Sequence, residues 1–209
     1  MGGMTVMRFC GDHPDVLGER VAAIALVATA AHQTVPPYLE GAMRRLLTSG
    51  KGQVERGAAL PTRRVVSRPT VRLVFGDRPH PRAVDVVHQM TTSMHDAHLI
   101  DSLLGIVEHD ARDALRATRT PSLVVVGTRD VLTPVPASRA MARLMPGSEL
   151  VVLPRAGHQL MQERPDELAE LIDALVARVQ GEAASVADAV AADDRPVERD
   201  QVEAVGDPL

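Results

Sequence analysis

Two polar residues stand where a parallel sheet would deliver chemistry. The apolar run Ser122–Val126 leads into Gly127-Thr128-Arg129-Asp130, and the run Glu149–Leu153 leads into Pro154-Arg155-Ala156-Gly157-His158. Positions just past the C-terminal ends of neighbouring parallel strands share the rim where open α/β sheets bind ligands. There an aspartate can hold a histidine by its Nδ1–H, and the histidine can act as a general base through Nε2. Singly, each has an ordinary alternative. An Asp after a strand usually makes a turn or caps a helix, and a lone His is usually a surface residue. The matching context of the two is what turns Asp130 and His158 into a candidate catalytic pair.

Other chemistry-bearing residues are weaker. Cys10 lies among Met4 and Met7 in a helical stretch and reads as a small buried hydrophobe. Ser93, Ser102 and Ser138 have no glycine-flanked turn around them to present a nucleophile. His88 to His98 form a His- and Met-rich helical stretch, in which His95 and His98 share a face at helical spacing. A polar surface is the plain reading, because no HExxH or similar metal signature accompanies them. Neither GxxxxGK[ST] nor GxGxxG occurs, so no phosphate loop is indicated. No metal and no cofactor are expected.

The elements that must position Asp130 and His158 can be read from hydrophobic patterning. Ala23–Ala28, Ser122–Val126 and Glu149–Leu153 are nearly continuous apolar runs, as expected of strands covered on both faces. Helical stretches separate them, including Pro136–Leu144 and Pro165–Val179. The second carries Leu168, Leu171, Ile172, Leu175, Val176 and Val179 on one face. Pro165 suits a first helical turn, and Asp166 and Glu167 suit the positive end of the helix dipole. Alternating strands and helices predict a parallel α/β sheet. Residues 32–117 form a long, mostly helical insertion, with Val71, Val74 and Phe75 on one face and Leu99, Leu103, Leu104 and Val107 on another. An insertion of that length is expected to be a helical cap on the sheet.

The blocks GTRDVLTP and PRAGHQLMQERPDEL resemble the last third of an α/β-hydrolase, in which Asp precedes His along the chain. Met1-Gly2-Gly3-Met4-Thr5 is similar to the residues that follow the nucleophile in that family's elbow, Gly-His-Ser-Met-Gly-Gly. The resemblance covers 1–31 and 118–179, and the insertion only by position and helical character. It implies the C-terminal part of an α/β-hydrolase sheet with an inserted cap. The implied division is 1–31 for the elbow helix and first strand, 32–117 for the cap, and 118–179 for the C-terminal core. It implies a Ser-Asp-His triad in which Asp130 orients His158. In this register the serine precedes Met1, the strands before the elbow are missing, and one oxyanion-hole donor would fall at the backbone N–H of Met1 if the chain were extended, that nitrogen being a free α-amine here. The implied activity is hydrolysis of a carboxylic ester or related acyl substrate without a cofactor. The glycine pair after the nucleophile position favours the serine esterase, lipase or perhydrolase branches.

Composition narrows the alternatives. The 209 residues include no Trp, one Tyr and two Phe, so the core must be aliphatic and base-stacking platforms for nucleic acid are disfavoured. The net charge of −4 gives no general attraction to nucleic acid either. A single cysteine excludes an intrachain disulfide framework. The longest apolar run, Val21–Ala31, is too short to span a bilayer, and MGGMTVMRFC lacks the pattern of a secretory leader. The expected location is therefore cytoplasmic. Residues 41–82 hold ten Lys or Arg against Glu55 and Asp77, a basic face or a mouth for anionic substrates. Residues 180–209 hold eight acidic and two basic residues and are expected to form a disordered tail.

Two other functions compete with an active hydrolase. The chain by itself is an inactive remnant, since losing a triad nucleophile costs about a million-fold in rate. Or it is an interaction module working through its basic face or acidic tail. Without an inner neighbour, the strand Ala23–Ala28 presents an apolar edge, so self-association along it is expected.

Overall fold

The computed structural model describes residues 1–33, 35–58 and 66–193. In chain order the elements are α1 (Gly2–Asp12), α2 (Pro14–Arg20), β1 (Ile24–Val27), α3 (Pro37–Glu55), α4 (Arg68–Arg72), α5 (Pro81–Ser93) and α6 (Asp96–Glu108). They continue with α7 (Arg112–Ala117), β2 (Ser122–Gly127), α8 (Val135–Leu144), β3 (Glu149–Leu153), α9 (Leu160–Glu163) and α10 (Pro165–Asp193). The three strands make one parallel sheet in the order β1-β2-β3. Leu26 sits opposite Val124, and Val124 opposite Leu150. Because all three run the same way, their C-terminal tips share one rim.

Alternation along β2 divides the core into two layers. Val124 faces Met7, Cys10, Leu115 and Met141 of α1, α7 and α8. Leu123 and Val125 face Leu160 of α9 and Leu168 and Leu175 of α10. Aliphatic and sulfur-containing side chains fill both layers, as the near-absence of aromatics requires. Only β2 is buried along its whole length. The expectation that all three strands are covered on both faces is corrected at the flanks. Ala25 of β1 and Glu149 of β3 are exposed, and Leu150 to Val152 are half-buried. Among the described residues both strands are sheet edges, so helices enclose fully only the strand between them.

The insertion leaves and re-enters the core through a narrow neck. His32 and Asp110 form an antiparallel bridge, flanked by Ala111 N–H to Ala31 C=O at 2.7 Å and Gln33 N–H to His109 C=O at 3.0 Å. Beyond the neck α3 packs along α6 and α4 along α5. Ion pairs Lys51–Asp101 (2.8 Å) and Arg44–Glu108 (3.0 Å) join α3 to α6. Arg68 likewise pairs with Asp85 at 2.9 Å. Part of the positive charge of 41–82 is thus matched by carboxylates from outside that stretch. Helix α7, grouped by sequence with the insertion, packs instead on α1 and α8 of the core.

Three helical expectations change. The His-rich stretch is two helices, because Met94 and His95 both take extended backbone and His95 caps α6 by accepting the Ala97 N–H on Nδ1. The buried face of α6 is marked by Ile100 and Val107, while Leu103 is exposed. The final helix continues past Val179 to Asp193, so the first part of the acidic stretch expected to be disordered is helical. Its alanines favour helix without needing a packed face. Residues 194–209 lie outside the described residues. Among the described residues no helix is long and apolar enough to cross a membrane.

Candidate active site

Asp130 ends the short turn that leaves β2, closed by its own N–H to the Gly127 carbonyl at 3.2 Å. Its side chain is fully buried, and four donors converge on the carboxylate. Oδ1 accepts the N–H groups of Leu132 (2.9 Å) and Thr133 (2.8 Å). Oδ2 accepts the Thr133 hydroxyl (2.7 Å) and Nδ1 of His158 (3.0 Å). Burial alone would push this carboxyl up. The His158 bond, the Thr133 amide, the positive character of His158 and the Thr133 hydroxyl outweigh it, so Asp130 titrates below its ordinary value of 3.8. It stays an anion at neutral pH, as an orienting carboxylate must.

His158 arrives from the tip of β3. The loop is built by pairing that continues past the strands: Thr128 N–H to Leu153 C=O at 2.9 Å and Arg129 N–H to Ala156 C=O at 2.8 Å. Arg155 is held at φ +60, a left-handed turn costly for a side chain with a Cβ. The Thr128 hydroxyl accepts its N–H at 2.8 Å and helps impose that turn. Three residues later the imidazole lies with Nδ1 on Asp130. Among the described residues nothing bonds Nε2, and the side chain keeps 24% of its surface exposed. This is the arrangement a general base requires: one nitrogen anchored on a carboxylate, the other available to a reacting proton.

The N-terminal turn of α1 belongs to the same rim. A Cβ on Gly3 would stand 2.7 Å from the side chain of Thr29, two residues beyond β1. Only glycine lets the helix start so close to the strand tip. Met1 precedes this turn, its carbonyl accepting the Thr5 N–H at 3.1 Å.

The remaining candidates are elsewhere. Cys10 is enclosed in the core, where burial pushes its thiol up. Ser138 is fully buried in the first turn of α8, and Ser93 donates to the Met90 carbonyl. His95 and His98 stand edge to face, 5.9 Å between ring centroids. Among the described residues no group of three or more His, Cys, Asp or Glu comes together to hold a metal ion. Sequence reasoning missed Thr133, whose position three residues after Asp130 in an Asx-type turn was a usable signal. It also missed Glu163, a few residues along from His158, and the segment 74–77, which touches the histidine loop from far away in sequence.

A parallel sheet with this Asp-His pair on its C-terminal rim is the frame of a known class. The model of the alpha/beta hydrolase family matches residues 1–171, and the chain belongs to that family. It is similar to the pimeloyl-[acyl-carrier protein] methyl ester esterase of Chromobacterium violaceum, 25% identical over 168 residues, covering 76% of this chain and 60% of that protein. The enzyme of the same name from Stenotrophomonas maltophilia is 27% identical over 192 residues, covering 85% and 66%. Among solved structures, a thermophilic esterase from Thermogutta terrifontis superposes with a TM-score of 0.70 at 27% identity, covering 86% of this chain and 62% of that one. The chain thus spans less than two thirds of the length of these relatives.

Proposed function

We propose that this chain carries the proton-transfer part of a carboxylic-ester hydrolase site. In this reading a serine from the segment leading into Met1 attacks the ester carbonyl. His158 Nε2 takes the serine proton and returns it to the departing alkoxide. Water then attacks the acyl-serine, again through His158, releasing the acid and restoring the serine. Asp130 keeps the ring oriented and stabilises its charged form. In this reading the start of α1, with its unpaired N–H groups, supports a developing oxyanion, and in a chain extended upstream the Met1 backbone N–H is one of the donors. Residues 32–110 stand as a cap over a small-molecule ester, and no cofactor enters.

The observation that carries this reading is the 3.0 Å bond from His158 Nδ1 to the buried Asp130 carboxylate. The esterase names of the similar proteins support the substrate class. The described residues offer no serine on the rim, so the 209 residues alone are expected to hydrolyse little, and to self-associate along β1.

Fluorophosphonate labelling tests it. A protein extended upstream of Met1 through an in-frame Gly-x-Ser is expected to label and to hydrolyse p-nitrophenyl esters, and the 209-residue chain is not. Equal labelling of the extended protein and its His158→Ala variant would overturn the reading, as would rapid hydrolysis by the chain alone.

A further inference from the structure

We propose that Glu163 is the positioning residue for His158: its carboxylate rivets the histidine loop to the insertion. The proposal rests on His158 being the base of the site. Glu163 closes α9, five residues beyond the histidine. Its Oε2 accepts the N–H of Gly76 at 2.7 Å. The Gly157 N–H reaches both of its oxygens, at 3.0 and 3.1 Å. Among the described residues no Lys, Arg or His pairs with this carboxylate, so its charge is spent on backbone donors.

The two amides converge because two backbones touch. A Cβ on Gly157 would overlap the Gly76 nitrogen, and a Cβ on Gly76 would overlap the Arg155 carbonyl. Glycine at both positions is what permits the approach. It also aims two N–H groups at one spot away from bulk water. A donor left without an acceptor there costs more than an ordinary hydrogen bond returns. A two-oxygen anion satisfies both at once, more strongly than a neutral acceptor.

The contact fixes the base from behind. Asp77 N–H donates to Arg155 C=O at 2.9 Å and His158 N–H to Val74 C=O at 2.7 Å, on either side of the Glu163 bonds. Arg72 Nη1 holds the Gly76 carbonyl at 2.8 Å, so that glycine is gripped at both of its polar groups. With the amides of Gly157 and His158 both tied, the origin of the imidazole and its 3.0 Å reach to Asp130 are set by the backbone. A shift of segment 74–77 under an occupied cap would move His158 with it.

The test reads the ring rather than turnover, using NMR of the full chain with 15N-labelled histidine. The unaltered protein is expected to show a slowly exchanging His158 Nδ1 proton. Glu163→Ala should lose that resonance, and Glu163→Gln, which keeps one acceptor oxygen, should exchange it roughly tenfold to a hundredfold faster. The β2 amides should stay protected in both. An Nδ1 proton unchanged in Glu163→Ala overturns the proposal, even if the melting temperature falls. Should that variant not fold, exchange in the unaltered protein decides. Gly76 N–H, Gly157 N–H and His158 Nδ1–H are expected to open at one common rate, and unrelated rates overturn the link. Absence of esterase activity in an extended protein would remove the catalytic role of His158 and leave this positional link standing.

Discussion

The backbone amide of His158 donates to the carbonyl of Val74 at 2.7 Å, so the imidazole's own residue is bonded to the insertion as well as to the sheet. The candidate base is therefore located by three neighbours: Asp130 on its ring, Val74 on its amide, and Glu163 on the residue before it.

Replacing Asp130 with asparagine should separate orientation from charge. The amide keeps the size of the side chain but favours the wrong histidine tautomer and cannot stabilise imidazolium. In an extended protein bearing the nucleophile, kcat for p-nitrophenyl acetate should fall about ten-thousand-fold, with KM little changed. A loss under tenfold would show that the bond is not catalytic.

Asp130 also makes stability depend on pH. Its folded pKa lies below the ordinary 3.8, so its contribution is complete above that value and is lost as pH falls through the lowered one. Thr133→Val removes the hydroxyl that donates to Oδ2 at 2.7 Å and raises the folded pKa. Its acid-unfolding midpoint should move to higher pH. Circular dichroism from pH 6 downward reads this, and an unchanged midpoint would contradict it.

Two glycine-to-alanine changes should have opposite signs. At Gly157 a Cβ meets the Gly76 backbone, which cannot yield without breaking the Glu163 bonds. Gly157→Ala is expected to lower the thermal midpoint sharply or abolish soluble protein. At Gly105, inside α6, a Cβ meets nothing within 4 Å. Gly105→Ala should therefore raise stability by about 0.5–1 kcal/mol in urea titration.

The layer between sheet and α1 depends on Leu115, which is fully buried beside Met7 and Val124. Leu115→Ala leaves a cavity and should cost about 2–5 kcal/mol, read as a lower urea midpoint at constant slope. Truncating exposed Leu46 on α3 should change stability by less than about 0.5 kcal/mol.

How far the sequence could be read follows the range of the forces involved. The run Ser122–Val126 needed only its own hydrophobicity to be recognised as a buried strand, and its Asp130 sits in a local turn. His158 was visible for the same reason, at the end of a second apolar run. The break at Met94-His95 carries no Gly or Pro, so the sequence reads through it. It is made by the His95 side chain turning back to cap the next helix. Glu163 was illegible because its decisive partner, Gly76, is 87 residues away. No pattern within one segment encodes such a contact. The length of α10 was underestimated because an alanine-rich stretch without an apolar stripe still forms a helix.

The bridge at His32 and Asp110 gives the molecule a modular architecture. If the insertion acts as the proposed cap, its helices are joined to the sheet through that one paired point, and exchanging them is expected to leave the Asp130–His158 pair in place. Segment 74–77 is the exception: an exchanged insertion would have to restore its bonds to Arg155, His158 and Glu163, so the histidine loop ties one small latch of the insertion to the sheet side.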